Sequence, residues 1–157
     1  DRPARASDRI GKLLLGALGL LIVVSMTGAI TALGDTLFPV QASADGGLLS
    51  RIKGDLSATN HFLVRLRIVH PLLATGVALF IAFLGVELLR SADAQLRRWA
   101  AVILAALTAQ VGLGLLNIAL AAPGWLQLVH LLGSQVLWIG VLMAFVISRR
   151  ATRPATP

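Results

Sequence analysis

The sequence predicts an all-α integral membrane protein, a bundle of four transmembrane helices. Hydrophobic residues make up 57% of the 157 residues and charged residues only 13%, with a mean hydropathy of +0.84, which is far outside the composition of soluble domains. Four apolar runs are each long enough to cross a hydrocarbon core, which takes roughly 20 helical residues. Because lipid offers the backbone no hydrogen-bond partner, such runs must form helices packed as a bundle. We expect residues 1–157 to form one domain.

The predicted helices cover residues 11–34, 62–89, 96–121 and 125–148. The first run is too long for a signal-peptide core and lacks a small-residue cleavage site, so we interpret it as a retained helix. The links near 90–98 and 122–124 are short, whereas the link at 35–60 is long enough to suggest a function or disorder. Its segment GLLSRIKGDLS favours a short helix on the bilayer surface, with a mobile loop as the alternative.

Lys and Arg are distributed unevenly between the two sides of these helices. Ten of the 14 lie on the side of the chain termini and four on the other side, which are Arg51, Lys53, Arg65 and Arg67. Since cytoplasmic loops carry the excess, we expect both termini in the cytoplasm. The net charge of +7 then reflects topology and attraction to membrane lipid. A nucleic-acid partner would need basic residues interleaved with aromatics on a soluble face, and this pattern is absent.

The chain also reads as a hairpin repeated twice, with one histidine in each copy. TGAITALG and QVGLGLLN end the first and third helices, and IVHPLL and LVHLLG open the second and fourth. The second and fourth helices run in the same direction, so His70, eight residues beyond Phe62, and His130, five beyond Trp125, lie at similar depths. At ~1.5 Å per residue the two depths agree to within one helical turn. The two imidazoles can therefore face each other.

Two histidines at one depth inside a membrane favour axial ligation of a haem. Ionisable residues in lipid are costly and usually functional, and haem iron accepts two neutral imidazoles on opposite faces. Zinc or copper would need three or four ligands, and no further ligand lies at this depth. The absence of cysteine excludes the C-x-x-C-H attachment of a c-type haem. The alternative is a pair of histidines that only form hydrogen bonds between helices.

Small and basic residues near the histidines complete the candidate site. Gly28, Ala29, Gly112 and Gly114 lie near the same depth and could let a flat macrocycle approach the backbone, although close helix packing also explains them. His61 lies at the membrane surface, and Asp35 is expected to be a cap or loop residue. The amides are expected to form hydrogen bonds between helices: Gln110, Asn117 and Gln135.

Arg67 and Arg65 precede His70 near the outer surface. Arg67 is three residues before His70, on the same helix face, where a guanidinium could pair with a haem propionate. Arg65 could reach a second propionate or a lipid phosphate, and snorkelling to lipid headgroups is the alternative for both. Pro71 removes the N–H that would bond the Arg67 carbonyl, so we expect a bend at His70.

These residues carry a resemblance to a known family. TGAITALGDTLFP, HFLVRLRIVHPLLA, LTAQVGLGLLN and WLQLVHLLGSQVLWIGVLM together resemble a four-helix half of haem A synthase, a membrane enzyme that oxidises a methyl group of haem O to the formyl group of haem A. The resemblance implies one pseudo-symmetric half of an eight-helix fold, in which one half hosts the substrate haem and the other a haem b. The substrate half commonly carries a glutamate three residues before its first ligand, where this chain has Arg67. The chain thus resembles the haem b half, with His70 and His130 as its ligands.

The resemblance further implies a setting and partners. It implies a bacterial plasma membrane, a second four-helix half or a second copy of this chain, and haem O synthase or cytochrome oxidase as proteins it works with. The chain alone lacks the expected catalytic half. A b-type electron-transfer subunit of a respiratory complex would use the same two histidines, and a structural subunit without cofactor is a third interpretation. An upstream helix with E-x-x-H would separate the first two.

The predicted topology can be checked with single cysteines in the cysteine-free chain. Cysteines at Ser43 and Ala94 should react with an impermeant thiol reagent from opposite sides, Ser43→Cys from outside and Ala94→Cys only after the membrane is opened. Labelling of both from outside would refute the orientation.

Overall fold

The computed structural model describes residues 2–38 and 66–150, and these residues form α-helices joined by short turns. The elements are α1 (Arg2–Leu37), a 3₁₀ turn (Leu66–Ile68), α2 (Val69–Leu89), α3 (Ala94–Ala119) and α4 (Gly124–Arg150). Each of the four α-helices contains a stretch long and apolar enough to cross a membrane. The prediction of an all-α membrane bundle is confirmed.

The four helices form a ring in which each packs against its two neighbours. α2 packs against α1 and α3, and α4 packs against α3 and closes the ring against α1. If each helix crosses the bilayer once, α1 and α3 run in one direction and α2 and α4 in the other, and we call inner and outer the ends that the charge distribution predicts to face the cytoplasm and the outside. The bundle therefore consists of two hairpins, α1–α2 and α3–α4, as the sequence repeat predicts.

Helix α1 is longer at both ends than the predicted 11–34. At its inner end the Lys12 ammonium pairs with the Asp8 carboxylate at 2.8 Å, a spacing that supports a helix in water. At its outer end Gly34 does not stop the helix, and the Thr36 hydroxyl donates to the Ala32 carbonyl at 2.9 Å. The helix therefore takes the first three residues of the link predicted at 35–60, and residues 39–65, with the proposed surface helix, lie outside the described residues.

Helix α2 begins later than the predicted residue 62, and Pro71 explains its start. Residues 66–68 form a 3₁₀ turn, and α2 begins at Val69, so Pro71 is the third residue of the α-helix. The first four N–H groups of a helix have no partner within the helix, so a proline costs no hydrogen bond there. The expected bend at His70 stays a prediction, and Pro71 lies in the first turn of α2.

The links around α3 are as short as predicted, and their chemistry sets its limits. The Asp93 carboxylate caps α3 by accepting from the N–H of Gln95 at 2.7 Å and of Leu96 at 3.4 Å. At the other end Ala121 and Ala122 have φ angles of 57° and 53°, a left-handed conformation that ends a helix. α3 therefore stops at Ala119, two residues before the predicted end.

The hydrophobic core lies in the inner half of the bundle. It is formed by large aliphatic and small side chains from all four helices: Leu14, Ala17, Leu18, Leu21, Val77, Ile81, Leu84, Leu88, Leu96, Ala100, Ile103, Leu107, Leu137, Val141, Ala144 and Ile147. In the outer half, among the described residues, only Gly34 and Leu126 are buried. The helices thus pack tightly near the cytoplasmic side predicted from charge and leave space between them toward the other side.

An ion pair joins the outer end of α1 to the turn before α2. Arg67 Nε lies 2.6 Å from Asp35 Oδ1, with the side chains 11% and 12% exposed. Arg67 Nη2 also donates to the carbonyl of Gly34 at 3.2 Å and to that of Phe38. Asp35 was expected to be a cap or loop residue, and in the structure it is the ion-pair partner of Arg67. The guanidinium thus holds the turn before α2 against the outer end of α1.

Gln127 extends this pair to the last helix. Its amide Nε2 lies 3.5 Å from Asp35 Oδ2 and donates to the Ala122 carbonyl at 2.8 Å. We call Asp35, Arg67 and Gln127 the outer polar cluster. It links α1, the 3₁₀ turn and α4 at the end of the bundle where the hydrophobic core is missing.

The outer polar cluster should contribute measurably to stability. Asp35→Asn removes the carboxylate from a shielded guanidinium and should lower the free energy of unfolding by roughly 1–3 kcal/mol. The measurement is reversible unfolding of the detergent-solubilised chain by SDS, followed by circular dichroism. Glu87→Gln is the matched control, because it breaks a pair with Arg90 of the same 2.6 Å length whose side chains are 71% and 41% exposed, and should cost less than ~0.5 kcal/mol. Equal losses would contradict a special role for the cluster.

Candidate functional site

His70 is held against α1 by a threonine. The His70 ring is half-buried, and its Nδ1 lies 3.1 Å from Thr27 Oγ1. The same hydroxyl lies 2.8 Å from the Val24 carbonyl, which can only accept, so the hydroxyl proton is donated there. Nδ1 of His70 must then carry the proton and donate to Thr27. This tautomer leaves the lone pair of the ring at Nε2.

His130 is held against α3 by a glutamine. Gln110 Nε2 donates to the backbone carbonyl of His130 at 3.0 Å and lies 3.3 Å from His130 Nε2. Because a carbonyl only accepts, the amide group facing it is the NH₂, and His130 Nε2 must also accept from it. His130 Nδ1 and Gln110 Oε1 are buried without a hydrogen-bond partner among the described residues. The amide of Gln110 therefore forms the bond between helices that was expected of it.

The two histidines share one region of the bundle. They lie on α2 and α4, which run in the same direction, and both belong to the loosely packed outer half. That the repeat brings the two imidazoles to one depth stays a prediction.

Two of the three predicted glycines touch a histidine. A Cβ at Gly28 would lie 3.0 Å from Cε1 of His70, and a Cβ at Gly114 would lie 3.4 Å from Cε1 of His130. A Cβ at Gly112 would meet no atom within 4 Å. Gly28 thus lets the His70 ring approach α1 closely, Gly114 permits an ordinary van der Waals contact, and Gly112 faces open space.

An open cleft lies beside this region between α1 and α4. Its volume is about 420 Å³, and it is lined by Ile22, Ser25, Met26, Ala29, Gln135 and Trp138. The α1 residues of the cleft flank Thr27 and Gly28 in the sequence, so the cleft lies at the depth of His70. The lining is mostly apolar, which suits an apolar ligand or a lipid chain.

The remaining predicted residues have different outcomes. Arg67 is one turn outward of His70, as expected, and contacts Asp35 in this structure. Arg65 and His61 lie outside the described residues. The amides of Asn117 and Gln135 donate to Leu113 of the same helix and to the adjacent Ser134, and within residues 2–38 and 66–150 neither forms the expected bond to another helix.

The sequence reading missed Thr27 as a partner of a histidine. Threonine is common in membrane helices, where its hydroxyl usually bonds a carbonyl one turn back. Thr31, Thr75 and Thr108 each do so. What could have singled out Thr27 is its position directly before Gly28, which allows the close approach of another helix.

Comparisons with known proteins place this arrangement in a family. Residues 1–142 match the COX15-CtaA family, described as cytochrome oxidase assembly protein. The chain is also 42% identical over 152 residues to the protoheme IX farnesyltransferases of two strains of Thermus thermophilus. The match covers 96% of this chain and 24% of each relative, so the chain spans about a quarter of the length of these relatives. No solved structure matches.

The family match extends over most of the chain and includes both histidine-bearing hairpins. It agrees with the resemblance carried by the two Val-His segments and the glycines of the preceding helices. Four membrane-spanning helices make the protein multi-pass. The chain belongs to the COX15-CtaA family of cytochrome oxidase assembly proteins, the haem A synthase family.

Proposed function

We propose that this chain is the haem b-binding half of a haem A synthase-like membrane oxidoreductase, in which His70 and His130 would hold the haem iron. The observation that carries the proposal is their placement on parallel helices, in the loosely packed outer half of the bundle, each with a glycine of the preceding helix against its ring. Ionisable side chains inside a membrane usually serve a function. A haem held by two histidines from parallel helices is a known use of a four-helix bundle.

The residues present fit a non-covalent haem. The hydrogen bonds of Thr27 and Gln110 give both rings the tautomer with its lone pair at Nε2, which is a form that iron binds. His130 Nδ1 and Gln110 Oε1 are buried polar atoms without a partner in the described structure, which is unusual unless a site is built for another group. When bound, the haem would supply a one-electron carrier. The protein would hold its iron and surround it with apolar helix faces.

Arg67 would bind a haem propionate. It lies one turn outward of His70, and its guanidinium has five N–H donors, so it can bind a second carboxylate beside Asp35. A cation held this way would also neutralise negative charge near the iron. For Arg65, which lies outside the described residues, we propose from the sequence that it binds a second propionate or a lipid phosphate.

The Thermus relatives suggest a partner. In them, a segment similar to this chain is one quarter of a longer protein named for farnesyl transfer to protohaem. The family match of this chain is to cytochrome oxidase assembly proteins. We therefore propose that the chain works beside a protohaem farnesyltransferase in cytochrome oxidase assembly.

The chain would act together with a second four-helix half, supplied by another segment or by a second copy. We propose a bacterial plasma membrane and cytoplasmic termini, as the charge distribution predicts. A b-type electron-transfer subunit would use the same two ligands, and the family match favours the haem A synthase function over it. Co-expression with a four-helix half that carries E-x-x-H, followed by extraction and chromatography of haem, distinguishes them, because only the oxidoreductase would convert haem O to haem A.

The haem itself is tested with the purified chain. We expect one non-covalent haem per chain with a low-spin, bis-histidine spectrum, because both ligands are imidazoles. The measurements are a reduced-minus-oxidised optical spectrum and extraction with acidified acetone, which should remove the haem from the protein. A double variant, His70→Ala with His130→Ala, should lose the Soret absorbance. If that variant retains it, other residues hold the haem.

The two charged residues of the outer polar cluster, Arg67 and Asp35, should shift the midpoint potential of the haem in opposite directions. Arg67→Gln removes a positive charge near the propionates and should lower the midpoint potential by roughly tens of millivolts, because reduced haem carries one more negative charge. Asp35→Asn removes a negative charge and should raise it. Redox titration measures both, with Glu87→Gln at the inner end as a control that should change nothing. An unchanged potential and haem content in Arg67→Gln would leave Arg67 as an anchor for lipid headgroups.

A further inference from the structure

The two histidines have the same tautomer, but their hydrogen-bond partners contact different ring nitrogens. At His70 the partner, Thr27, accepts from Nδ1–H at 3.1 Å, on the side of the ring away from the nitrogen with the lone pair. At His130 the partner, Gln110, approaches Nε2 itself at 3.3 Å. The nitrogen that would bind iron is therefore already engaged at His130, whereas at His70 the threonine leaves that nitrogen to other groups.

The two rings also differ in how well they are satisfied. The Thr27 hydroxyl donates one hydrogen bond to the Val24 carbonyl and accepts one from His70, so the two bonds fix its orientation. The bond from Gln110 to His130 Nε2 is long, and the buried Nδ1–H has no acceptor among the described residues. A buried donor without an acceptor is unfavourable. Replacing Gln110 at Nε2 of His130 would therefore break a long hydrogen bond and leave the Nδ1–H as it is.

Gln110 is able to make such a change without leaving its position. Its amide also donates to the backbone carbonyl of His130 at 3.0 Å, and this second bond does not involve the ring. The Gln110 side chain can thus release Nε2 of His130 and remain fixed to α4. A Cβ at Gly133 would lie 2.5 Å from Gln110 Oε1, so the glycine provides the space in which the amide sits.

We propose that the two ligands bind in a set order: His70 is preset by Thr27 and binds haem iron first, and His130 binds second, after Gln110 releases its Nε2. This inference rests on the proposed function. Thr27 and Gln110 are then positioning residues with opposite effects. Thr27 orients the ring of His70 so that its Nε2 is available. Gln110 instead forms a hydrogen bond to Nε2 of His130, which would have to break before this nitrogen could bind iron.

The test uses haemin and the detergent-purified chain with one histidine at a time. Haemin affinity is measured by optical titration in His130→Ala, which retains His70, and in His70→Ala, which retains His130. We expect His130→Ala to bind haemin about tenfold more tightly than His70→Ala does. A tenfold difference is about the effect of one hydrogen bond, the one that Gln110 must give up before His130 can bind. Circular dichroism confirms that each variant keeps its helices.

Second-site variants separate positioning from general packing. Gln110→Leu should tighten haemin binding severalfold in the His70→Ala background and leave the His130→Ala background unchanged. Thr27→Val should weaken binding in the His130→Ala background only, and Thr27→Ser, which keeps the hydroxyl, should restore it. A residue with a merely structural role would change both backgrounds by the same factor.

Solid-state NMR of the imidazole nitrogens in the haem-free chain gives an independent measurement. Both rings should be protonated at Nδ1, and Gln110→Leu should shift Nε2 of His130 but not that of His70. Equal haemin affinities of the two single-histidine variants, or equal effects of Gln110→Leu in both, would overturn the order of binding while leaving the haem site intact. If the parent chain with both histidines binds no haemin, the proposed function fails and this inference fails with it.

Discussion

A polar group that the chain carries into the hydrocarbon is costly unless it finds a hydrogen-bond partner within the protein. Helices meet this requirement for the backbone, and the hydroxyls of Thr31, Thr75, Thr108 and Ser134 meet it by donating to carbonyls of their own helices. Bonds that reach across the span to another helix instead join Thr27 to His70 and Gln110 to His130. In the described part of the bundle, polar contacts between helices thus lie at the two histidines within the span, in the outer polar cluster at one end, and at the Asp8–Arg149 pair at the other.

Packing and polarity are divided along the length of the bundle. The inner half holds the aliphatic core, in which small residues let the helices approach closely, as where Gly140 lies against Ile103. The outer half has few buried residues and is closed at its end by the outer polar cluster of Asp35, Arg67 and Gln127. A ligand between the helices would therefore lie between a tight apolar base and a polar rim, which is a suitable environment for a macrocycle with charged edges.

Composition, hydropathy and the repeated Val-His pair predict the fold class, the four spans and the common depth of His70 and His130, because these depend on period and on burial in lipid. Helix ends were less predictable. Asp35 to Leu37 continue α1 although Gly34 precedes them, and the start of α2 depends on which turn Pro71 occupies. For Thr27 the sequence offers only its position before Gly28, since its role depends on the side of α1 that faces α2. The pairing of Arg67 with Asp35 depends on where α1 ends, which also could not be read from the sequence.

Because the core is confined to one end of the bundle, the stability of the chain is graded along its axis. Local opening costs least where few buried contacts must be broken, and in this protein that is the end opposite the core. The bundle can therefore assemble as a folded unit before any cofactor arrives and admit it later without dismantling the rest. A ligand would enter sideways through the open cleft between α1 and α4, because the outer polar cluster joins the outer ends of these helices. Folding of the bundle and binding of a cofactor would then be separate steps.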